Sequence, residues 1–157
     1  MKEKKPSPAG RSKIRIEHIL VPVDFSEHSK NALQYAANLG RHFDAGLVLV
    51  YVVESVGYPA DLGYGQVDIS AIEKDLADRA RAELERLAEK YSDANLQITT
   101  HVHTGRPFVE IIRAANDYHA DMIVIATHGH TGVEHMLFGS TAEKVVRKAP
   151  CPVLVVR

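Results

Sequence analysis

Hydrophobic residues along the chain follow two alternating spacings. Continuous apolar runs occur at 19–23 and 47–53, and runs of this kind predict strands that are buried on both faces of a parallel sheet. Elsewhere the apolar residues recur every three or four positions, most clearly from 69 to 91. This spacing predicts helices with one apolar face. Strands and helices are therefore expected to alternate along the chain.

The complete pattern predicts five strands and four helices in the order βαβαβαβαβ. A strand at 96–103 alternates apolar and polar residues, which predicts an edge position in the sheet. The other expected features are strands at 121–127 and 152–156, a first helix that ends near Gly40, a third helix that opens at Pro107 and a fourth over 140–148. Strands that alternate with helices form parallel sheets through right-handed crossovers. We therefore expect one doubly wound α/β domain over 16–157, preceded by a disordered tail over 1–15.

Composition narrows the classes of protein to which the chain can belong. The 19 basic and 20 acidic residues give a formal net charge of −1, which argues against a nucleic-acid-binding protein with a strong basic excess. The single cysteine, Cys151, excludes an internal disulfide framework, favours a reducing compartment and is interpreted as a small buried apolar residue. No apolar run approaches the ~20 residues of a membrane span. A cytoplasmic protein without membrane contact is expected.

Two predicted loops carry residues that suit a binding site. Asp24 and Ser26 follow strand 1, and Gly139-Ser140-Thr141 begins the helix that follows strand 4. In parallel sheets, ligands bind beyond the carboxyl ends of the strands, where the strand order reverses. The two loops form one site only if strands 1 and 4 are neighbours, which predicts the order 3-2-1-4-5 rather than 2-1-3-4-5. A helix N-terminus at that site would attract phosphate.

These residues also have purely structural interpretations. Ser140 and Thr141 could simply cap the helix that they begin, and Asp24 could cap its own loop or the first helix. The nine histidines include His101 and His103 on one strand face. No group of histidines shows a recognised zinc-ligand spacing, so surface or loop positions are favoured over a metal site. The Walker and dinucleotide-binding patterns are absent.

Three stretches together resemble the universal stress protein family, in its nucleotide-binding branch. The sequence ILVPVDFS at 19–26 is similar to the family's first strand and loop. Gly129, nine further residues and then Gly139-Ser140-Thr141 are similar to the second part of its Gly-x2-Gly-x9-Gly-Ser/Thr signature. The ending APCPVLVVR at 149–157 is similar to its last strand. The resemblance covers residues 16–157, which it identifies as a universal stress protein domain.

The resemblance implies a homodimer that binds an adenine nucleotide, ATP or AMP with Mg, and regulates a stress response. Adenine and ribose would be held at the ends of strands 1 and 2, and the phosphates by the glycine loop. The implied binding residues are Pro22, Val23, Asp24, Val52, Ile125, Ala126, Gly129, His130, Gly139, Ser140 and Thr141. The dimer would form through the C-terminal strand, 152–156, since an apolar edge strand offers open backbone groups to a second copy.

Other classes of function are weighed against this one. The glycine loop offers no arginine finger, so we expect no enzyme, or at most slow ATP hydrolysis. An interaction module of the same fold that binds no nucleotide is the alternative. A phospho-acceptor role for Asp24 is disfavoured, because the clustered acids of a receiver domain do not follow strand 1.

One position departs from the family signature, because Ala126 replaces its first glycine. If that position needs a positive φ, alanine costs about 1–2 kcal/mol. If it needs close approach of the backbone, the methyl group crowds the ligand. We favour a third interpretation, in which Ala126 continues an extended strand through Thr127 and points its Cβ into the core. This interpretation predicts that ATP still binds with micromolar affinity.

Overall fold

The computed structural model describes residues 14–55, 69–128 and 139–157. Within these ranges strands and helices alternate as the hydrophobic pattern predicts, with strand ends within two residues of the predicted ones. The elements are β1 (His18–Pro22), α1 (Glu27–Phe43), β2 (Gly46–Glu54), α2 (Ile69–Tyr91), β3 (Ile98–Gly105), α3 (Pro107–Asp117), β4 (Met122–Ala126), α4 (Ser140–Lys148) and β5 (Val153–Val156). The tail expected over 1–15 lies almost entirely outside the described residues, so both it and the domain boundary stay predictions.

The strands form one parallel sheet in the order β3-β2-β1-β4-β5, which confirms the predicted order. β1 lies at the centre, where Leu20 pairs with Val48 of β2 on one side and Ile123 of β4 on the other. Alternate residues of each strand enter two separate cores. Leu49 packs in the core under α1 and α2, and Val50 in the core under α3 and α4. This is the doubly wound α/β arrangement, with helices on both faces.

Gly40 allows α1 to pack closely against Leu96, which lies two residues before β3. A Cβ at Gly40 would lie only 2.6 Å from Leu96 Cδ1, which is closer than carbon atoms approach. The sequence places Gly40 near the end of the helix, but α1 continues to Phe43 and is capped by Asp44, whose φ is 58°. The glycine therefore serves packing, while the aspartate ends the helix in the left-handed conformation.

The third strand begins two residues later than the hydrophobic pattern predicts. Leu96 is buried, but its backbone N–H and carbonyl are both bonded to Asp93 in a tight turn. A backbone group used in a turn cannot join the sheet ladder, so pairing with β2 begins at Ile98, opposite Leu47. Among the described strands, β3 pairs with β2 alone, which confirms its predicted edge position.

Candidate functional site

A cleft of about 320 Å³ lies beyond the carboxyl ends of the central strands, where the strand order reverses between β1 and β4. Doubly wound folds bind ligands at this position, and pockets for small molecules start at about 300 Å³. Residues from β1, β2, β4, the segments that follow β1 and β4, and the first turns of α1, α3 and α4 surround it. They are Pro22, Val23, Asp24, Ser29, Val50, Tyr51, Val52, Glu54, Pro107, Ile111, Ile125, Ala126, Thr127, His128, Gly139, Ser140, Thr141 and Ala142.

The cleft brings together every predicted binding residue that the structure describes. These residues are Pro22, Val23, Asp24, Val52, Ile125, Ala126, Gly139, Ser140 and Thr141. Gly129 and His130, the other two predicted residues, lie outside the described residues. Proximity around one cleft is what the strand order predicts. Contact of each residue with a ligand stays a prediction.

The loop after β1 is held by a closed set of hydrogen bonds. Asp24 Oδ1 accepts from the backbone N–H of Ser26 at 3.0 Å and from its hydroxyl at 2.5 Å. Ser26 Oγ in turn accepts from the N–H of Ser29 at 3.2 Å, which caps α1. Asp24 therefore braces its own loop, as the structural interpretation proposes, and Ser26 is the residue that caps the first helix.

Phe25 holds a conformation that bulky residues rarely adopt. Its φ is 65°, in the left-handed region, although it carries a Cβ and an aromatic ring. The ring stacks on Tyr51 of β2, with centroids 4.9 Å apart and planes 23° from parallel. This stack offsets part of the backbone strain. The sharp turn at Phe25 places Asp24 and Ser26 close enough to bond to each other.

The start of α4 differs from the β1 loop, because several of its backbone N–H groups have no partner among the described residues. Gly139 is the N-cap residue, and its N–H donates to the carbonyl of Thr127 at 2.7 Å. Its own carbonyl accepts the first helical hydrogen bond, from Glu143. The N–H groups of Ser140, Thr141 and Ala142 come before that bond and have no acceptor within the described part of the chain. All three residues line the cleft, and backbone donors at a helix N-terminus suit an anion.

The capping interpretation of Ser140 and Thr141 is wrong. No side chain caps α4, because the cap position belongs to Gly139, with φ −67° and ψ 153°. Ser140 and Thr141 instead occupy the first two helical positions, where a side chain does not reach back over the helix end. A Cβ on Gly139 would lie 3.2 Å from the carbonyl oxygen of Thr127, so glycine permits the close contact between α4 and β4.

Ala126 is an ordinary strand residue. It ends β4, pairs with Val156 of β5 and is 8% exposed in the core under α1 and α2. The sheet hydrogen bonds continue one residue further, because the N–H of Thr127 donates to the carbonyl of Val156 at 2.8 Å. Ala126 is not among the described residues with a positive φ. The predicted extended conformation is therefore confirmed, and alanine causes no backbone strain here.

Several cleft residues were not predicted from the sequence. Tyr51 and Glu54 come from the carboxyl end of β2, and Pro107 and Ile111 come from the first turns of α3. The strand order could have indicated the β2 residues, because it places β2 next to β1 with parallel carboxyl ends. The α3 residues depend on how that helix crosses the sheet, and a single sequence carries no signal for this.

The histidines predicted to share a face of β3 form part of a polar cluster. His103 lies between the Tyr118 hydroxyl, 3.2 Å from Nε2, and the buried Glu110 carboxylate, 3.5 Å from Nδ1. His101 stacks on Tyr118, with ring centroids 4.1 Å apart. Burial lowers the pKa of His101, and neighbouring His103 adds to that effect. Half-buried Cys151 packs against the core under α3 and α4, and burial raises the pKa of its thiol.

The described residues contain neither a metal-ligand cluster nor a helix that could span a membrane. In 14–55, 69–128 and 139–157, no group of three or more His, Cys, Asp or Glu side chains could hold a metal ion. No helix in the same ranges is long and apolar enough to cross a membrane.

Comparisons with known proteins find related chains over nearly the whole domain. The family model described as "Universal stress protein family" matches residues 15–157. The chain is similar to universal stress protein MJ0531 of Methanocaldococcus jannaschii, with 38% identity over 142 residues, or 88% of this chain and 81% of that protein. It is also similar to the solved structure of universal stress protein UspA from Lactobacillus plantarum, with 28% identity, a TM-score of 0.75, and coverage of 91% of this chain and 99% of that one. A universal stress protein from Archaeoglobus fulgidus, solved in complex with dAMP, shares the fold with a TM-score of 0.58 at 22% identity and covers 92% of this chain and 99% of its own.

Proposed function

Because the chain belongs to the universal stress protein family, we propose that it binds an adenine nucleotide in the cleft at β1 and β4. The nucleotide, ATP or AMP, sets the conformation or the partner choice of a homodimer that acts in the stress response. The observation that carries this proposal is the start of α4, where three backbone N–H groups open into a cleft beside apolar strand ends. Proteins of the same fold have been solved with cAMP and with dAMP.

The phosphates are assigned to the start of α4. The N–H groups of Ser140, Thr141 and Ala142, which have no acceptor among the described residues, carry about half a positive charge between them, as at any helix N-terminus. Ser140 is exposed beside them, and its side chain does not cap α4. Phosphate oxygens can therefore bind these donors without breaking a hydrogen bond within the described part of the chain. Mg²⁺ would accompany ATP on its phosphates.

The base and the ribose are assigned to the strand ends. Val23, Val52 and Ile125 give the cleft an apolar wall against which a planar base can lie. Asp24 stands beside them with one oxygen already accepting from Ser26. A carboxylate has about four lone-pair positions, so Asp24 can also accept from a ribose hydroxyl. The base and the ribose are thus assigned to the side of the cleft whose polar groups already bond to one another.

Hydrolysis of the nucleotide is expected to be slow or absent. The described lining of the cleft carries neither lysine nor arginine. Phosphoryl transfer depends on cations that stabilise charge on the transferred group, and this part of the cleft would supply backbone N–H groups and the Ser140 and Thr141 hydroxyls but no lysine or arginine. We therefore propose a binding protein in which nucleotide acts as a signal rather than as a substrate.

The dimer is assigned to β5, the edge strand at the C-terminus. Its outer backbone groups face no described strand, and Leu154 is 37% exposed on it. A two-fold axis would pair β5 antiparallel with its own copy. Leu154→Lys should therefore give a monomer by light scattering at micromolar concentration, whereas Thr99→Lys, an exposed position on the opposite edge strand β3, should leave the dimer intact. A monomeric parent protein would refute this assignment.

The nucleotide proposal is tested on freshly purified protein. Mass spectrometry of released small molecules should identify ATP or AMP, and calorimetric titration of nucleotide-free protein with Mg-ATP and with AMP should give micromolar affinities. GTP is the control for recognition of the adenine base, and inorganic phosphate is the control for binding through phosphate charge alone. If neither adenine nucleotide is released or bound, the chain is an interaction module of this family that binds no nucleotide.

A further inference from the structure

Side chains of β3 contact both ends of α3. His103 Nδ1 lies 3.5 Å from Glu110 Oε2 in the first turn of α3, and its Nε2 lies 3.2 Å from the hydroxyl of Tyr118, the residue that caps the end of the helix. With its hydrogen on Nδ1, the ring donates towards the carboxylate and accepts from the hydroxyl at the same time. His101 adds a stack on the Tyr118 ring, with centroids 4.1 Å apart. His103 therefore connects β3 to the start and to the end of the same helix.

The contact at the start of α3 is closely packed. Glu110 is 6% exposed, and a Cβ on Gly105, the last residue of β3, would lie only 3.0 Å from its Cγ. Glu110 Oε2 also accepts from Arg113 at 3.2 Å, one turn further along α3. Because a buried carboxylate is costly without such partners, Glu110 has little freedom to move away from them. The first turn of α3 is thus fixed against the end of β3.

This cluster lies directly behind a wall of the cleft. His103 pairs in register with Val52 of β2, and paired residues of neighbouring strands point to the same face of the sheet. Val52 lines the cleft, and so do Pro107 and Ile111, which precede and follow Glu110 on α3. The position of α3 therefore sets how far Pro107 and Ile111 stand from the strand ends to which the base is assigned.

On the basis of the nucleotide site proposed above, we propose that His103 is a positioning residue for the base: it holds α3 so that Pro107 and Ile111 form a fixed wall next to Val52. Groups that bind a ligand precisely are held to within about 0.5 Å by packing and by hydrogen bonds behind them. A fixed wall discriminates between bases by shape, whereas a wall that can move accommodates adenine and guanine more equally. The phosphates are assigned to α4, so ATP and AMP should depend on His103 to the same extent.

The test measures affinities for ATP, AMP and GTP by calorimetry in variants of the cluster. His103→Ala should lower ATP and AMP affinity by the same factor, about tenfold, and should reduce the ratio of ATP to GTP affinity by about fivefold. Tyr118→Phe, which removes one hydroxyl and keeps the ring, should act in the same direction to a smaller extent. Glu110→Ala should resemble His103→Ala, whereas Glu110→Gln keeps an oxygen that accepts from Nδ1 and should stay within about twofold of the parent. Thr104→Ala is the matched control, because Thr104 is the exposed next residue of β3 and points to the opposite face.

Urea denaturation of the same proteins separates positioning from stability. Partial unfolding lowers the apparent affinities for ATP and GTP by the same factor, so a changed ratio of the two cannot come from unfolded protein. If His103→Ala does not fold, Tyr118→Phe provides the comparison with Glu110→Gln.

Three results would overturn the positioning role and leave the nucleotide proposal standing. They are unchanged affinities in the variants that lose a contact of the cluster, equal losses of ATP and GTP affinity in those variants, and a parent protein that does not distinguish ATP from GTP. If the parent binds neither ATP nor AMP, the proposed function fails, and the role of His103 with it.

Discussion

The two sides of the cleft satisfy their polar groups in opposite ways. On the β1 side, Asp24, Ser26 and Ser29 bond to one another and to the start of α1. On the α4 side, the N–H groups of Ser140 and Thr141 have no acceptor in the described chain. Hydrogen bonds among described residues complete the first side, whereas the donors on the second side have no partner among the described residues. Substitutions on the β1 side should therefore affect stability first, and those on the α4 side should affect ligand binding first.

Gly139→Val should have the largest effect on binding, because it places a side chain at the start of α4, where the phosphates are proposed to bind. Even a Cβ there would lie 3.2 Å from the Thr127 carbonyl oxygen, and valine adds two more methyl groups at the edge of the cleft. Displaced N–H donors should lower ATP affinity by about 100-fold or more, which corresponds to about 2.7 kcal/mol. Calorimetry measures this. Gly46→Ala is the control, since its Cβ would come no closer than 3.7 Å to another atom.

Ser140→Ala should have the next largest effect on binding. A hydrogen bond to a charged phosphate contributes about 1.5–3 kcal/mol, so ATP affinity should fall by about 10- to 100-fold. The free energy of unfolding should hardly change, because this hydroxyl caps nothing. Ser92→Ala, at an exposed position just after α2, is the control for both measurements. Unchanged ATP affinity in Ser140→Ala and in Gly139→Val would show that the nucleotide sits elsewhere.

Ser26→Ala should give the converse result on the closed side. It removes the N-cap of α1 and one of the donors to Asp24, and loss of a helix cap costs about 0.5–2 kcal/mol. Urea denaturation should detect this decrease in the free energy of unfolding. ATP affinity should fall by less than it does in Ser140→Ala. A larger loss of ATP affinity in Ser26→Ala than in Ser140→Ala would mean that the β1 side contributes more to nucleotide binding than the start of α4 does.

Ala126→Gly should have the smallest effect on binding. Because Ala126 is extended and its methyl group is in the core, glycine relieves no strain. ATP affinity should change by less than about threefold, or about 0.6 kcal/mol. Stability should decrease by about 1 kcal/mol, since glycine in a strand is more flexible when unfolded. Calorimetry that detects no ATP binding in the parent but clear binding in the glycine variant would show that Ala126 blocks the site.

The sequence predicts the architecture well, because hydrophobic spacing reports burial. The runs at β2 and β4 are apolar on both faces, as central strands must be, and β3 alternates, as an edge strand does. The strand order followed from one additional condition, that the β1 loop and the start of α4 share a site. That condition selected the observed order, β3-β2-β1-β4-β5.

The details that the sequence missed are set by backbone geometry. Ser140 and Gly139 are both acceptable N-cap residues, and only their dihedral angles show that Gly139 holds the cap. Phe25 carries no signal for a positive φ, because its conformation is imposed by the Asp24–Ser26 bonds and by the stack on Tyr51. Tertiary contacts decide such positions, and they override local preference.

The central place of β1 has a consequence for the order in which the domain is assembled. β1 is the first strand in the chain, but one of its two neighbouring strands, β4, comes much later in the sequence. The N–H of Glu17, just before β1, donates at 2.8 Å to the carboxylate of Asp121, 104 positions further on. During synthesis, β1 can pair with β2, and β2 with β3, before the residues of β4 have been made.

The cleft therefore does not exist until the last third of the chain has folded onto the first. A ligand at the junction of β1 and β4 would recognise only the completed domain and would stabilise it over every earlier intermediate. Such long-range pairing is also the slow part of folding. In the folding of this chain, the pairing of β1 with β4 is thus the step at which the domain and its cleft form together.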